Sequence, residues 1–134
     1  MRTALILAPI LLSACATGEQ GPPQLTEKQA AALEKELSGK TAGAPVNCIS
    51  IRPQTNLRAI SDRVLLYRVS SRLVYKNEVS GVCSGLTRGN TLITQSWGTQ
   101  YCRGDIARVA DLTAGMPVGS CSLGEFIPYQ SPPK

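Results

Sequence analysis

Cysteine thiols are the side chains of this sequence with the most distinctive chemistry. One of them, Cys15, ends a short apolar segment, and the others are Cys48, Cys83, Cys102 and Cys121. Zinc-binding sequences bring cysteines within two to four residues of each other, often with histidine. Here no two cysteines are that close, and the chain contains no histidine. In an oxidising compartment the last four cysteines therefore predict two disulfides, for which three pairings are open.

The N-terminal segment has the features of an export signal. After Met1-Arg2 comes the apolar run Ala4–Leu12. This run is much shorter than the roughly 20 residues that a transmembrane helix needs, and it has the length of a signal-peptide core. It leads to Leu12-Ser13-Ala14-Cys15, which resembles the lipobox of bacterial lipoproteins. The resemblance implies that a leader over residues 1–14 is removed and that the thiol of Cys15 receives a diacylglyceryl group.

Ordinary secretory cleavage is the alternative at this position, because Ala14-Cys15-Ala16 also has the small-x-small pattern. We favour lipidation, since the leader is brief and a polar, Gly/Pro-rich stretch follows Cys15 directly. Two or more acyl chains give stable anchoring where one is marginal. In Gram-negative lipoproteins an aspartate after the lipidated cysteine commonly retains the protein at the inner membrane. The resemblance, with Ala16 at that position, implies the outer membrane and a domain that faces the periplasm.

The sequence offers little for catalysis. The absence of histidine removes the commonest general base, the usual partner of a nucleophilic serine or cysteine, and the commonest metal ligand. The glycine-rich stretches lack a phosphate-binding spacing. Residues 46–134 hold five carboxylates, and no close pair of them suggests glycosidase-like chemistry. We therefore expect no enzyme, no cofactor and no metal.

Residues 46–134 are basic, with ten Lys or Arg against five Asp or Glu. Such a charge could hold the domain against anionic lipid or envelope polymers. The arginines are scattered rather than clustered, so a solvated strand face is the interpretation that we favour. The partners expected are the membrane, through lipid on Cys15, and an envelope protein or anionic polymer. Nucleic acid is not expected as a partner.

Two short motifs suggest recognition, and each has a simpler structural interpretation. Arg103-Gly104-Asp105 spells a cell-adhesion tripeptide, but it opens into a predicted strand. Gly104 is expected to make a turn there, and Asp105 to bind backbone N–H groups. Ser84-Gly85 beside Cys83 is similar to the loops that small envelope inhibitors insert into lysozyme. Lysozymes are usually basic, as this domain is, and like charges oppose docking.

Three aromatic side chains are candidates for either a binding site or the core. Trp97, the only tryptophan, could anchor a partner, but we expect a half-buried loop residue that covers the sheet. Tyr67 and Tyr75 lie in predicted strands, where they are expected to serve as core or cross-strand partners.

The elements that must position these residues begin with a tether and a helix. Residues 16–25 lack an apolar period and predict a flexible tether, whose ten residues would reach roughly 17–19 Å. Thr26 and Gln29 form a capping box, and an apolar stripe of Ala30, Leu33 and Leu37 predicts a helix over residues 27–38. This narrow stripe is expected to dock onto the chain's own domain.

From Val46 onward the pattern changes to short strands separated by turn residues. They are predicted at Val46–Ile51, Asp62–Val69, Arg72–Lys76, Thr91–Ser96, Ile106–Ala110 and Ser120–Ile127. The second and third form a hairpin across Ser70-Ser71. These strands predict a mainly-β domain, a small disulfide-stapled sandwich or partly open barrel, preceded by one short N-terminal helix.

The disulfide pairing that we favour is Cys48–Cys121 with Cys83–Cys102. Cys48 lies in the first predicted strand and Cys121 in the last, and small closed sheets bring such strands side by side. Cys83 and Cys102 flank the Thr91–Ser96 strand, so their bond would join the ends of one excursion of the chain.

Six stretches between residues 46 and 129 carry a family resemblance. They are Cys48-Ile49-Ser50-Ile51, Asp62 with Leu65-Leu66-Tyr67, Tyr75-Lys76-Asn77-Glu78, Cys83-Ser84-Gly85-Leu86, Tyr101-Cys102-Arg103-Gly104-Asp105-Ile106 and Cys121-Ser122-Leu123-Gly124-Glu125-Phe126. In this layout the chain resembles a family of small uncharacterised proteobacterial lipoproteins. Where that family has Asn-x-Leu ahead of the second cysteine, this chain has Asn77-Glu78-Val79. The resemblance implies a fold and a compartment, and no activity.

Together these features predict three segments. Residues 1–14 form a signal peptide, residues 15–45 contain the lipidated cysteine, the tether and the helix, and residues 46–134 form a periplasmic domain. The function expected is that of an outer-membrane lipoprotein with a non-enzymatic envelope role, as a structural or interaction domain. The alternative is a small periplasmic ligand-binding or enzyme-inhibitor module, which a concave apolar pocket would favour.

Overall fold

The computed structural model describes residues 20–133, so the leader over residues 1–14 and Cys15 lie outside the described residues. The described part contains one α-helix, one 3-10 turn and eleven strands. In chain order these are α1 (Glu27–Leu37), β1 (Thr41–Ala42), β2 (Cys48–Ser50), β3 (Asn56–Ala59), β4 (Val64–Arg68), β5 (Leu73–Glu78), β6 (Ser80–Val82), the 3-10 turn (Leu86–Arg88), β7 (Thr91–Gln95), β8 (Gln100–Cys102), β9 (Ile106–Asp111), β10 (Met116–Ser122) and β11 (Phe126–Gln130).

The strands form three open sheets, and their paired neighbours run antiparallel. A five-stranded sheet has the order β1-β11-β5-β4-β3, a four-stranded sheet has the order β6-β10-β9-β7, and β2 pairs with β8. The mainly-β class with one short preceding helix is therefore confirmed. The predicted hairpin is confirmed too, because β4 and β5 pair directly across Ser70-Ser71.

The five-stranded and four-stranded sheets share one core. Leu65 and Tyr67 point into it from β4, and Ala107 and Val109 point into it from β9. Phe126 of β11 is fully buried, with its ring 5.6 Å from that of Tyr67 in an edge-to-face contact. Successive residues of a strand point to opposite faces, so each of these strands contributes every second side chain to the core.

The other face of the five-stranded sheet is covered by the helix. Val64 and Leu66 of β4 alternate with the residues of the main core and form a second cluster. The helix packs Leu33 and Leu37 of the predicted stripe against this cluster, together with Ala32. Ala30, the third residue of that stripe, is exposed instead. Strand β4 is consequently buried on both faces, which explains why four of its five residues are apolar or aromatic and buried.

Charge and capping hold the helix in place. The capping box is present, because Gln29 donates its backbone N–H to the hydroxyl of Thr26 and accepts the Thr26 N–H in return. At the other end the carboxylate of Glu36 binds the guanidinium groups of Arg58 on β3 and Arg68 on β4. The carboxylate is nearly buried between them, so this pair of contacts ties the last turn of the helix to the sheet.

The chain ahead of the helix is bound to the domain from residue 20 onward. The side-chain oxygen of Gln20 accepts the backbone N–H of Gly81 at 2.9 Å, and the carbonyl of Gly21 accepts a hydrogen bond from Arg63 at 3.1 Å. A flexible tether was expected over residues 16–25, but these contacts hold its second half against the domain. The sequence does not show them, because the partners are 61 and 42 residues away.

The disulfides are Cys48–Cys102 and Cys83–Cys121, so the expected pairing Cys48–Cys121 with Cys83–Cys102 was wrong. The first strand of the domain pairs with β8, where Cys48 stands directly opposite Cys102, with Cα atoms 4.0 Å apart. Cys121 is not in the last strand, because the stretch predicted as one strand is divided into β10 and β11. Strand β10 lies beside β6, which brings Cys121 next to Cys83.

The chain passes between the two large sheets at two adjacent places, from β5 to β6 and from β10 to β11. The fully buried side chain of Asn77, on β5, joins them. Its amide nitrogen donates to the carbonyl of Gly124 at 2.8 Å, and its oxygen accepts the Gly124 N–H at 3.0 Å. A side chain at position 124 would collide with the carbonyl of Glu78. Asn77 and Gly124 thus set how the sheets are connected.

Replacing Asn77 by alanine should lower the free energy of unfolding by about 2–4 kcal/mol, because the partly buried N–H and C=O of Gly124 lose their partners and the fully buried side chain leaves a cavity. The matched control is Asn56→Ala, at an exposed asparagine of β3, where a change within about 0.5 kcal/mol is expected. Denaturant titration of both variants gives the comparison. Equal stabilities of the two variants would contradict this role of Asn77.

Peptide mapping without reductant should recover the pairs Cys48–Cys102 and Cys83–Cys121. The bonds span 54 and 38 residues, and the chain-entropy argument assigns each about 4 kcal/mol. The double variant Cys83→Ala/Cys121→Ala should be less stable than the double variant Cys48→Ala/Cys102→Ala. The sulfurs of Cys83 and Cys121 lie in the core, so their removal leaves a cavity there. Peptides that join Cys48 to Cys121 would contradict the strand order given above.

Candidate functional site

The outer face of the four-stranded sheet is the most distinctive open surface of the described residues. We call it the exposed sheet face and define it by two rows of paired residues. One row is Val82, Ser120, Arg108 and Ile93, and the other is Ser80, Ser122, Ile106 and Gln95. The helix covers the five-stranded sheet, but within residues 20–133 no helix or sheet covers this face. Large apolar side chains left open in this way are typical of interaction surfaces.

Strand alternation explains why apolar side chains reach both faces of this sheet. In β9 the residues Ala107 and Val109 point into the core, and Ile106 and Arg108 point outward. Ile106 is 45% exposed as a result. In β7 the adjacent residues Leu92 and Ile93 point to opposite sides. The sequence does not show which of two adjacent apolar residues lies outside, so the exposed sheet face could not be recognised from it.

Trp97 is 98% exposed, and its expected role as a half-buried cover of the sheet was wrong. It lies in the turn between β7 and β8, beyond the last paired residue of β7, Gln95. After this turn the chain leaves the four-stranded sheet and pairs with β2. The Trp97 side chain therefore has no strand beside it to pack on and projects into solvent.

Exposed apolar residues also lie at the other end of the four-stranded sheet. Leu112 is 69% exposed in the turn between β9 and β10, and Met116 begins β10. Six residues of β9 separate this turn from the end that carries Trp97, a distance of about 17 Å at the usual rise of a strand. The two ends differ in their surroundings, because only the Trp97 end adjoins the chain segment around Gln20.

An open cleft of about 670 Å³ lies where that segment meets the domain. Its lining includes Gln20, Arg63, Glu78 and Arg103. Two ion pairs lie at or beside it, Lys76–Glu78 at 2.7 Å and Arg103–Glu125 at 2.8 Å. Glu78 and Arg103 are thus paired with opposite charges, and the guanidinium of Arg63 binds the carbonyl of Gly21. The cleft is polar, and it does not have the apolar concavity that the ligand-binding alternative requires.

The Ser84-Gly85 loop is fixed to the domain rather than free to enter a partner. The carboxylate of Asp62 accepts the backbone N–H groups of Gly85 at 3.1 Å and Thr87 at 3.0 Å, and the Thr87 hydroxyl at 2.9 Å. Gly85 has a positive φ of 86°, which a residue with a side chain rarely adopts. The loop is therefore a structural turn, and nothing in its geometry favours the inhibitor interpretation.

The structure confirms the turn expected at Arg103-Gly104-Asp105 and the core position expected for Tyr67. At Arg103-Gly104-Asp105, Gly104 makes a turn with a φ of 90°, and Asp105 accepts the backbone N–H of Cys102 at 2.8 Å. Tyr67 lies in the core, where burial raises the pKa of its hydroxyl well above the ordinary value. The Tyr67 hydroxyl therefore stays protonated at neutral pH. The Tyr67 ring packs against the rings of Tyr101 and Phe126.

Metal-binding clusters and membrane-spanning helices are both absent from residues 20–133. Within residues 20–133, no three acidic or cysteine side chains are grouped so that they could hold a metal ion. In the same part of the chain, no helix is long and apolar enough to cross a bilayer. Because it leaves Val82, Ile93 and Ile106 open to solvent, the exposed sheet face is the best candidate functional site in this part of the chain.

Asp62→Ala should lower the free energy of unfolding by about 2 kcal/mol at neutral pH, the usual effect of removing hydrogen bonds to a charged group. Burial would raise the pKa of Asp62, but the hydrogen bonds from Thr87 and Gly85 and the charge of Arg88 lower it below the ordinary value. The stabilisation is therefore present above roughly pH 4 and is lost as the pH falls through the folded-state pKa.

Denaturant titrations of the wild type and of Asp62→Ala between pH 7 and pH 2 measure this difference. The two stability curves should converge at the acidic end, because the protonated carboxyl no longer favours the folded state. A difference that is constant over this range would show that Asp62 acts through packing rather than through its charge.

Comparison of the chain with protein-family models, with curated proteins and with solved structures gave no match. The resemblance to small proteobacterial lipoproteins stays a prediction from the sequence.

Proposed function

We propose that this chain is an outer-membrane lipoprotein, anchored by lipid on Cys15, with a non-enzymatic periplasmic domain. The domain acts as an interaction module, and the exposed sheet face is its contact surface. The observation that carries the proposal is the uncovered outer face of the four-stranded sheet, which exposes Val82, Ile93 and Ile106 among polar side chains, next to the point where the N-terminal segment binds the domain. The partner is a component of the cell envelope.

The N-terminal segment supports the anchor. The lipobox-like stretch ends at Cys15, and Gln20, five residues later, is already bound to the domain. Five residues span at most about 18 Å when fully extended. A domain held this close to its lipid stays at the membrane surface, where it meets other membrane-bound components at a high effective concentration.

Several acidic side chains are already engaged in structural hydrogen bonds and ion pairs, which supports a non-enzymatic role. Asp62 and Asp105 bind backbone N–H groups, and Glu36 binds two arginines. The buried Tyr67 hydroxyl has a raised pKa, which places it far from the range useful for proton transfer at neutral pH. The chain has no histidine to replace them. The exposed sheet face offers apolar and hydrogen-bonding contacts instead, which suit binding.

Intact mass spectrometry of the protein extracted from membranes tests the anchor. We expect a species of residues 15–134 that carries two or three acyl chains, and we expect the Cys15→Ser variant to lose these chains and leave the membrane fraction. The matched control, Ser13→Ala, keeps the small residues ahead of Cys15 and should be lipidated normally. A soluble, unmodified species that begins at Thr17 would contradict the proposal.

A further inference from the structure

We propose that the Trp97 turn enters the lipid headgroup layer of the leaflet that holds the Cys15 lipid. This inference rests on the proposed function and deepens it, because it names the membrane surface as the partner of one end of the exposed sheet face. The domain would then lie against the bilayer in a defined orientation, held by the acyl chains and by Trp97.

Strand register places Trp97 and the N-terminal segment at the same end of the four-stranded sheet. Ser80, on one edge strand, is paired through Ser122 and Ile106 to Gln95, on the other edge strand. Gln20 binds Gly81, the neighbour of Ser80. Trp97 follows Gln95 by two residues. The row from Ser80 to Gln95 crosses three spacings between neighbouring strands, a distance of about 14 Å.

The length of chain outside the described residues keeps this end close to the membrane. Lipid on Cys15 would lie in the bilayer, and at most about 18 Å of chain connects that residue to Gln20. This reach is similar to the width of the row from Ser80 to Gln95. The Trp97 end can therefore touch the leaflet. The turn with Leu112, about 17 Å further along β9, points away when the Trp97 end is in contact.

The chemistry of this end matches a lipid headgroup layer. Tryptophan concentrates at membrane interfaces because its ring is apolar and its indole N–H can still bond to water or lipid. Ile106, which is paired with Gln95 two residues before Trp97, is 45% exposed. Arg108, an exposed residue of β9 on the same face, can bind lipid phosphates. This mixture of an aromatic ring, an aliphatic side chain and a cation resembles that of interfacial anchors.

A second copy of the chain is the competing occupant, and the face is less well suited to it. A stable protein interface buries about 800 Å² on each partner around an apolar centre. Five of the eight residues of the exposed sheet face are instead polar, namely Ser80, Ser120, Ser122, Gln95 and Arg108. The most exposed aromatic residue, Trp97, lies at one end of the face rather than at its centre.

The lone tryptophan provides a direct test with the full lipidated protein. We would reconstitute it into vesicles of phosphatidylethanolamine and phosphatidylglycerol and measure tryptophan emission and quenching by acrylamide. The matched control moves the tryptophan to the other end, in the double variant Trp97→Phe/Leu112→Trp. We expect a blue shift and loss of quenching for Trp97 in vesicles. In the control, the tryptophan introduced at position 112 should emit and be quenched in vesicles as an exposed side chain.

Four outcomes would overturn the inference. Trp97 that stays fully quenchable in vesicles, in protein whose acyl chains are confirmed by mass, would remove it and leave the lipoprotein proposal intact. Equal protection of the tryptophan in the Leu112→Trp control would show burial without the proposed orientation. Protection that appears without vesicles as protein concentration rises would assign the face to a second copy. Absence of acyl chains on Cys15 would reject the lipoprotein proposal and with it this inference.

Discussion

The structure depends on how the chain passes between its two large sheets. Both passages run side by side, and the buried amide of Asn77 pairs with the backbone of Gly124 where they meet. A buried amide without partners would be costly, so this arrangement is stable only when both passages are in place. It divides the C-terminal stretch into β10 and β11 and thereby assigns these strands to different sheets.

The assignment of strands decides the remainder of the architecture. With β10 beside β6, Cys121 meets Cys83 inside the core. With β11 beside β5, Phe126 fills the space between the sheets and packs on Tyr67. The five-stranded sheet then has a free outer face, which the helix covers. The four-stranded sheet has one too, and no helix within residues 20–133 is available to cover it.

That asymmetry is the structural basis of the proposed function. The helix covers the outer face of one sheet at β4 and β5, and the other sheet presents apolar side chains to solvent beside the docked segment at Gln20. Under that proposal, lipid on Cys15 would orient the domain as well as tether it, because at most about 18 Å of chain can separate Cys15 from Gln20. The exposed Trp97 turn and the lipid would then act on the same membrane surface.

The sequence by itself determined the local features: the capping box at Thr26, the packing of Leu33 and Leu37 on one helix face, the β4–β5 hairpin and a mainly-β class with two disulfides. The tertiary structure decided the cysteine pairing, the exposure of Trp97 and the open face that carries Ile93. Local features follow from interactions between near neighbours in the chain, so periodicity and capping residues reveal them. Alternation shows that a strand has two faces, but which face is covered depends on partners many residues away, and no local pattern contains that information.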